Sequence, residues 1–356
     1  MSIRVLVVDD SAFMRKMITQ ILTSDPGIEV TATARNGADA LKKLTSTEVD
    51  VITLDVEMPV MNGLDTLREL MAVNPKPVIM LSSRTKRGSE ITFQALALGA
   101  VDFVPKPSGE ISLDIDTIAQ ELIAKVKAAA GARVVAYKSS PQPEKTVTPP
   151  PPRKPVQTTV PRGIAADAVV IIGSSTGGPK ALEQVIASIP KDIPAGFLIV
   201  QHMPQPFTKS FAERLNGIGE LAVKEAEEGD VVQNGMALLA PGSFHMVVDQ
   251  DKRIRLNQDP PVQFVRPSID VTMASLPEVF GSRIVGVILT GMGRDGADGM
   301  GLIKKAGGLT IAQDRLTSTI YSMPKAVADE GHADYILSLD RIGESIIRLV
   351  HAIQSH

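Results

Sequence analysis

The sequence predicts an α/β protein of two domains. The first is a five-stranded doubly wound parallel sheet, the second an α/β domain with a mostly parallel sheet and a β-hairpin insertion. Three observations carry this. Short apolar runs alternate with helical patterns along both halves, the order that buries a parallel sheet between helices. At 356 residues the chain exceeds the size of one ordinary core. The composition also breaks abruptly between Ser139 and Gly163, where eight of the 25 prolines fall.

The first alternation places strands near 3–8, 28–34, 50–54, 77–81 and 100–104, and helices near 12–24, 37–45, 64–72, 87–98 and 112–130. The proline segment includes Pro149-Pro150-Pro151-Pro152 with basic Lys145, Arg153, Lys154 and Arg162, which reads as a semi-rigid polyproline II spacer. Beyond it, strand-like runs at Ala168–Ile172, Gly196–Val200, Ile284–Leu289 and Leu309–Ala312 alternate with helical stretches near 178–188, 207–216, 296–306 and 324–330. Residues 221–256, with glycine turns at Glu228-Gly229-Asp230 and Asn234-Gly235, look like antiparallel hairpins, and Ile342–Ile353 forms an amphipathic helix closing the core. The resulting division is 1–125, a helix end and linker over 126–163, and 164–356.

Bulk composition narrows the function. With 3% aromatics and no tryptophan, the cores rest on Val, Ile, Leu, Ala and Met. A net charge of −3 argues against nucleic acid as a partner. The absence of cysteine removes disulfides, thiolate metal sites and a thiol nucleophile. No stretch approaches the roughly 18 apolar residues of a membrane helix, and Met1-Ser2-Ile3-Arg4 leads straight into a strand, so the expectation is a cytoplasmic protein without membrane insertion.

In a parallel sheet, ligands sit beyond the carboxyl ends of the strands. Asp9 and Asp10 end the first strand, Asp55 the third and Ser82 the fourth, while Lys106 follows the fifth, so these side chains converge on one edge. Crowded carboxylates repel unless a cation lies among them, and oxygen ligands suit Mg²⁺. Asp55, already ionised at neutral pH, could attack phosphorus without a base. Lys106 and Ser82 could then hold the phosphoryl group. Taken singly, Asp9-Asp10 could instead cap the following helix, and Lys106 could be a solvated loop lysine.

The runs Val-Val-Asp-Asp-Ser, Leu-Asp-Val-Glu-Met-Pro-Val-Met-Asn-Gly and Phe-Val-Pro-Lys-Pro together resemble the response-regulator receiver domain, whose fold is flavodoxin-like. The resemblance implies that Asp55 is phosphorylated, that Asp10, Asp55 and the carbonyl of Glu57 hold Mg²⁺, and that Asp9 supports the metal. It also makes Ser82 and Phe103 the switch hydroxyl and switch aromatic.

The second centre is Gly173-Ser174-Ser175-Thr176-Gly177-Gly178, a strand-to-helix turn in which Ser175 fits Gly-x-Ser-x-Gly. Such a turn exposes a hydroxyl and aims N–H groups at an oxyanion, although a glycine-rich turn can equally bind an anion. A serine needs a base. His202 follows a strand on the same edge, His245 in the hairpin section is the rival, and His332, His351 and His356 lie in turn or terminal-helix positions. Asp295, after Leu289-Thr290-Gly291-Met292-Gly293-Arg294, fits a third member or a helix cap.

Together these signatures resemble the CheB family of chemotaxis methylesterases over 167–350. The resemblance implies Ser175 as nucleophile, His202 as base then acid, Asp295 as its orienter, and the N–H groups of Thr176 and Met292 as the oxyanion site, with no cofactor for the ester chemistry. It further implies a monomer that demethylates glutamyl esters on chemoreceptors, deamidates receptor glutamines, and takes phosphate from a CheA-type histidine kinase. Ser174 stands where alanine is frequent in the family, and Arg294 where asparagine is. Two other classes remain: a response regulator with a non-catalytic partner-binding output domain, and a nucleotide-binding oxidoreductase, for which Gly173, Gly177 and Gly178 have the wrong spacing.

Overall fold

The computed structural model describes residues 2–83, 85–106, 115–132, 134 and 165–354. The proline-rich segment lies outside the described residues. The first unit runs β1 (Ile3–Val8), α1 (Ala12–Thr23), β2 (Ile28–Ala34), α2 (Gly37–Leu44), β3 (Val51–Asp55), α3 (Gly63–Val73), β4 (Val78–Ser82), α4 (Lys86–Leu98), β5 (Asp102–Pro105) and α5 (Ile115–Ala130). Its strands pair in parallel in the order β2-β1-β3-β4-β5. Leu6 and Val8 enter one core layer and Val5 and Val7 the other, which is why Val5-Leu6-Val7-Val8 reads as an unbroken apolar run. The side chains of Ser11, Asn36, Asn62 and Thr85 each accept an orphan N–H at a helix start. The cap of α1 is therefore Ser11, and Asp9 and Asp10 are not used for that purpose.

The second unit runs β6 (Val169–Ser174), α6 (Gly178–Ala187), β7 (Gly196–Gln201), α7 (Gln205–Asn216), β8 (Ala222–Glu225), β9 (Met236–Leu239), β10 (His245–Val248), β11 (Ile254–Asn257), α8 (Ile269–Ala274), α9 (Pro277–Phe280), β12 (Ile284–Ile288), α10 (Ala297–Lys305), β13 (Leu309–Gln313), α11 (Met323–Asp329), β14 (Tyr335–Leu337) and α12 (Leu339–Gln354). Seven strands form a sheet in the order β14-β13-β12-β6-β7-β9-β8, all paired in parallel.

The 221–256 section departs in part from expectation. Only β10 and β11 form an antiparallel hairpin. β8 and β9 extend the main sheet in parallel instead. The Glu227–Asp230 turn that reads as a hairpin closes on itself through Glu227 N–H to Asp230 Oδ2 (2.7 Å), and the chain then returns to start β9 beside β7.

The two units pack against each other. Phe93 of α4 stacks on Phe211 of α7 with ring centroids 5.3 Å apart, and Phe103 of β5 meets Phe207 of α7 at 4.4 Å. Lys86 pairs with Glu213 at the rim (3.6 Å). Asp102 Oδ2 accepts a hydrogen bond from Thr176 Oγ1 (2.6 Å), the residue after Ser175. Asp102 is braced from behind by Lys125 (3.3 Å), which also donates to Phe103 O (2.7 Å) and lies over the Phe103 ring. The seam is therefore aromatic in the middle and ionic behind, and its polar end touches the serine turn.

Phe197 of β7 is fully buried in the seven-stranded sheet. Phe197→Ala should remove about 3–5 kcal/mol from the second unit. Chemical denaturation followed by circular dichroism checks this; a loss under about 1 kcal/mol would mean that the sheet centre repacks freely.

Candidate active site and phosphorylation site

At the carboxyl edge of the first sheet, Asp9, Asp10 and Asp55 place carboxylate oxygens within 4.8 Å of one another. Lys106 Nζ bridges Asp9 Oδ2 (2.9 Å) and Asp55 Oδ2 (2.7 Å). Burial raises the Asp55 carboxyl to about 6; the Lys106 hydrogen bond and charge oppose the rise and Asp9 adds to it. Burial alone would lower Lys106, but its two carboxylate partners outweigh that and raise it. One ammonium among three carboxylates leaves the cluster short of positive charge, so these residues fit a divalent cation. Glu57 N–H donates to Asp55 Oδ1 (3.3 Å), which ties the turn after β3 to the cluster.

Ser82 is not drawn into the cluster. Its hydroxyl is buried against α4, bonded to Thr92 Oγ1 (2.7 Å) and Gly88 O (3.2 Å). Phe103 lies in the seam against Phe207 rather than beside Asp55.

The serine turn grows from β6. Gly177 takes φ +78, a left-handed corner that lets α6 begin directly after Ser175-Thr176, with Pro179 in its first turn. Ser175 is 9% exposed and its N–H donates to Thr290 O (3.1 Å), which joins the β6 and β12 ends. A Cβ on Gly291 would stand 2.9 Å from the Ser175 Cβ, so only glycine permits this approach. Among the described residues, the N–H groups of Thr176 and Met292 make no hydrogen bond and remain available to an incoming oxyanion.

Ser174 is fully buried, and its hydroxyl donates to Gln201 Oε1 (2.7 Å). The Gln201 amide in turn donates to the carbonyls of Ser175 (3.0 Å) and His202 (3.1 Å). One amide thus clasps the turn that carries the hydroxyl to the turn that carries the imidazole. Sequence reading missed Gln201; a glutamine ending a fully buried strand was the available signal.

His202 Nε2 lies 2.8 Å from Asp295 Oδ2, and because the carboxylate accepts, Nε2 carries the proton and Nδ1 keeps its lone pair. Asp295 is buried and also accepts from Ser268 Oγ (2.8 Å), Ile269 N–H (2.7 Å) and Asp270 N–H (3.0 Å) at the start of α8. Burial would raise Asp295, but His202 and the backbone donors outweigh it and hold it low, so it stays ionised. Its neighbour Asp270 is pushed up by burial and by the Asp295 charge. No hydrogen bond joins Ser175 Oγ to His202 among the described residues, and such contacts often close only with substrate bound.

The rival His245 sits buried in β10. Its Nδ1 accepts Ser268 N–H (3.2 Å) and its Nε2 donates to Pro260 O (3.3 Å), so both ring nitrogens are committed to the scaffold. His332 Nδ1 donates to Ala297 O (2.9 Å), consistent with a turn position. Asp295 and His202 are thus brought together, and His245 has no lone pair left for a serine.

The sequence profile of the CheB methylesterase family matches residues 170–346, and that of the response regulator receiver domain matches residues 5–115. A protein-glutamate methylesterase/protein-glutamine glutaminase of Symbiobacterium thermophilum is 50% identical over 98% of this chain and 97% of its own length. One of the same name from Pyrococcus abyssi is 48% identical over 99% of this chain and 95% of its own. The solved catalytic domain of Thermotoga maritima CheB methylesterase is 44% identical, covers 52% of this chain and all of its own, and superposes with a TM-score of 0.51.

The under-neutralised carboxylates make a metal test possible without turnover. Mg²⁺ at a hundredfold excess over its Kd should stabilise the first unit by about 2.7 kcal/mol. The gain is read as a rise in Tm and should shrink in Asp10→Asn. An unmoved Tm in the parent would remove the cation from this cluster.

Proposed function

The chain belongs to the CheB methylesterase family, and from that premise we propose that Ser175, His202 and Asp295 are its catalytic triad and Asp55 its phosphorylation site. It is a protein-glutamate methylesterase and protein-glutamine glutaminase with a response-regulator receiver domain. The observation that supports the triad best is the His202–Asp295 bond, formed at the sheet edge where Ser175 stands beside two free N–H groups. The receiver spans 1–125, a helix end and linker 126–163 and the esterase 164–356.

His202 Nδ1 takes the Ser175 proton as Oγ attacks the glutamyl carbonyl, and Asp295 steadies the imidazolium without accepting its proton. The N–H groups of Thr176 and Met292 receive the oxyanion. His202 then protonates the leaving methoxide, releasing methanol, or the leaving amine of a glutamine, releasing ammonia. Water, activated by the same imidazole, hydrolyses the acyl-serine and restores the enzyme. The reaction needs no cofactor. Its substrates are the cytoplasmic domains of methyl-accepting chemoreceptors, and the protein works as a cytoplasmic monomer without nucleic acid. Among the described residues no helix is long and apolar enough to cross a membrane.

Asp55 receives the phosphoryl group from a CheA-type histidine kinase. Asp10, Asp55 and the Glu57 carbonyl would hold Mg²⁺, with Asp9 in support, and the cation would neutralise phosphoryl oxygens. Lys106 already lies where it can pair with that group. The receiver restrains the esterase by docking. A phosphoryl group of charge near −2 draws Ser82 away from Thr92 and Gly88, and Thr92 is the chain neighbour of Phe93, which stacks on Phe211. Movement of Phe103 strains the contact with Phe207 and the Asp102–Thr176 bond. The phosphoryl group acts only as far as docked and released forms bind it differently.

Ser175→Ala should abolish methanol release from methylated receptor, whereas Ser174→Ala, which loses only the Gln201 bond, should keep most of it; the reverse result would move the nucleophile. For the switch, full-length protein, Asp55→Asn and a 160–356 fragment are compared with and without a small phosphodonor and Mg²⁺. The donor should stimulate only the first, and the fragment should exceed unphosphorylated full-length protein. Equal basal rates for all three would rule out restraint by docking.

A further inference from the structure

The segment between β11 and α8 ends on Ser268, which bonds the triad acid, and it carries a feature that the reaction chemistry does not use. Val262 and Val265 exchange both backbone hydrogen bonds (3.2 and 3.0 Å), closing a two-residue hairpin with Gln263 at φ +51 and Phe264 at φ +66 at its corners. A hairpin with two positive-φ corners favours Asn-Gly or Asp-Gly, because a Cβ is crowded there. Phe264 is nonetheless 97% exposed, so its ring gains almost nothing from the fold.

The turn is braced on both sides. Arg266 donates to the carbonyls of Gln258 (2.7 Å) and Asp259 (2.9 Å), and His245 donates to Pro260 O (3.3 Å). The Gln263 amide donates to Asp270 Oδ2 (3.1 Å), and the Asp270 N–H donates to Asp295. The corner beside Phe264 is thus two hydrogen bonds from the triad. The receiver covers the Thr176 and α7 side and leaves this rim open. Strain kept in place by surrounding bonds marks a conformation held for use. An aromatic ring on a rigid mount makes an efficient anchor, since it buries much apolar area and loses little freedom on binding.

We propose that Phe264 is the docking anchor for the protein substrate. It seats in an apolar recess on the protein surface that carries the esterified glutamate, and the braced turn sets the distance from that recess to Ser175. The proposal rests on the esterase reading and names how that site selects a protein over a free ester.

The test uses the full chain and three readouts: methanol release from methylated receptor, hydrolysis of p-nitrophenyl acetate, and Tm. Phe264→Gly should raise the receptor KM by about 10-fold with kcat unchanged. It should leave p-nitrophenyl acetate hydrolysis unchanged and melt no lower than the parent, since glycine accepts the positive φ. Phe264→Trp should restore the receptor KM. An unchanged receptor KM in Phe264→Gly overturns the anchor, as does a joint fall in Tm and in small-ester hydrolysis, which would make the ring structural. A change of oligomeric state by sedimentation in Phe264→Gly would hand the ring to a second copy of the chain and also overturn it. No methanol release from the parent overturns the esterase reading and the anchor together, whereas release with an unaltered variant overturns the anchor alone.

Discussion

Parallel pairing is the constraint from which the rest follows. A chain that builds a sheet only from parallel strands must return each time by a crossover, so every strand ends at the same edge and every loop there is free to carry chemistry. This protein does so twice. Asp9, Asp55, Ser82 and Lys106 stand at one such edge, and Ser175, His202 and Asp295 at another. The seam between domains runs along β5, which leads to Lys106: Asp102 and Phe103 at its start touch Thr176, next to Ser175, and Phe207 of α7, which follows His202.

The features written locally were legible in the sequence. Acids at the ends of apolar runs, a glycine-flanked serine before a helix and short polar caps are local solutions to local problems, so strand ends, helices and the proposed triad could be read directly. What could not be read depends on distant partners. β8 and β9 join the main sheet because β7 offers them an edge, although their sequence and turns suit a hairpin. Phe207 and Phe211 look like the inward face of α7, yet each is covered in part by a ring of the other domain. The choice of His202 over His245 rests on a backbone N–H and a carbonyl that claim both nitrogens of the latter.

The carboxylates show how placement divides labour. Asp295, Asp270 and Asp55 are all substantially buried, and burial pushes each towards protonation. Donors decide the outcome. Asp295 collects a histidine, a hydroxyl and two backbone N–H groups and is kept charged, which its proposed place beside an imidazolium requires. Asp55 has chiefly Lys106, shared with Asp9, and this leaves it reactive and in need of further positive charge. Lys125, buried beneath the seam, is raised to about 12 because Asp102 and Glu121 outweigh the penalty of burial. An ion pair of that kind adds little to stability but fixes where Asp102 points.

Two pairs of phenylalanine rings hold the seam together, and apolar contact has a characteristic thermal dependence. Its drive near room temperature is the entropy of released water, and it weakens on cooling. Separating the domains exposes those rings and should therefore carry a positive heat capacity, while the Asp102–Thr176 bond and the Lys86–Glu213 pair contribute little to it. Under the proposed docking restraint, cooling would loosen the receiver's hold on the esterase without any change in phosphorylation, and the resting rate of ester hydrolysis would fall less steeply with temperature than the chemistry alone dictates. On that proposal the seam would act as a partial thermal compensator, set by how much aromatic surface α7 shares with the receiver.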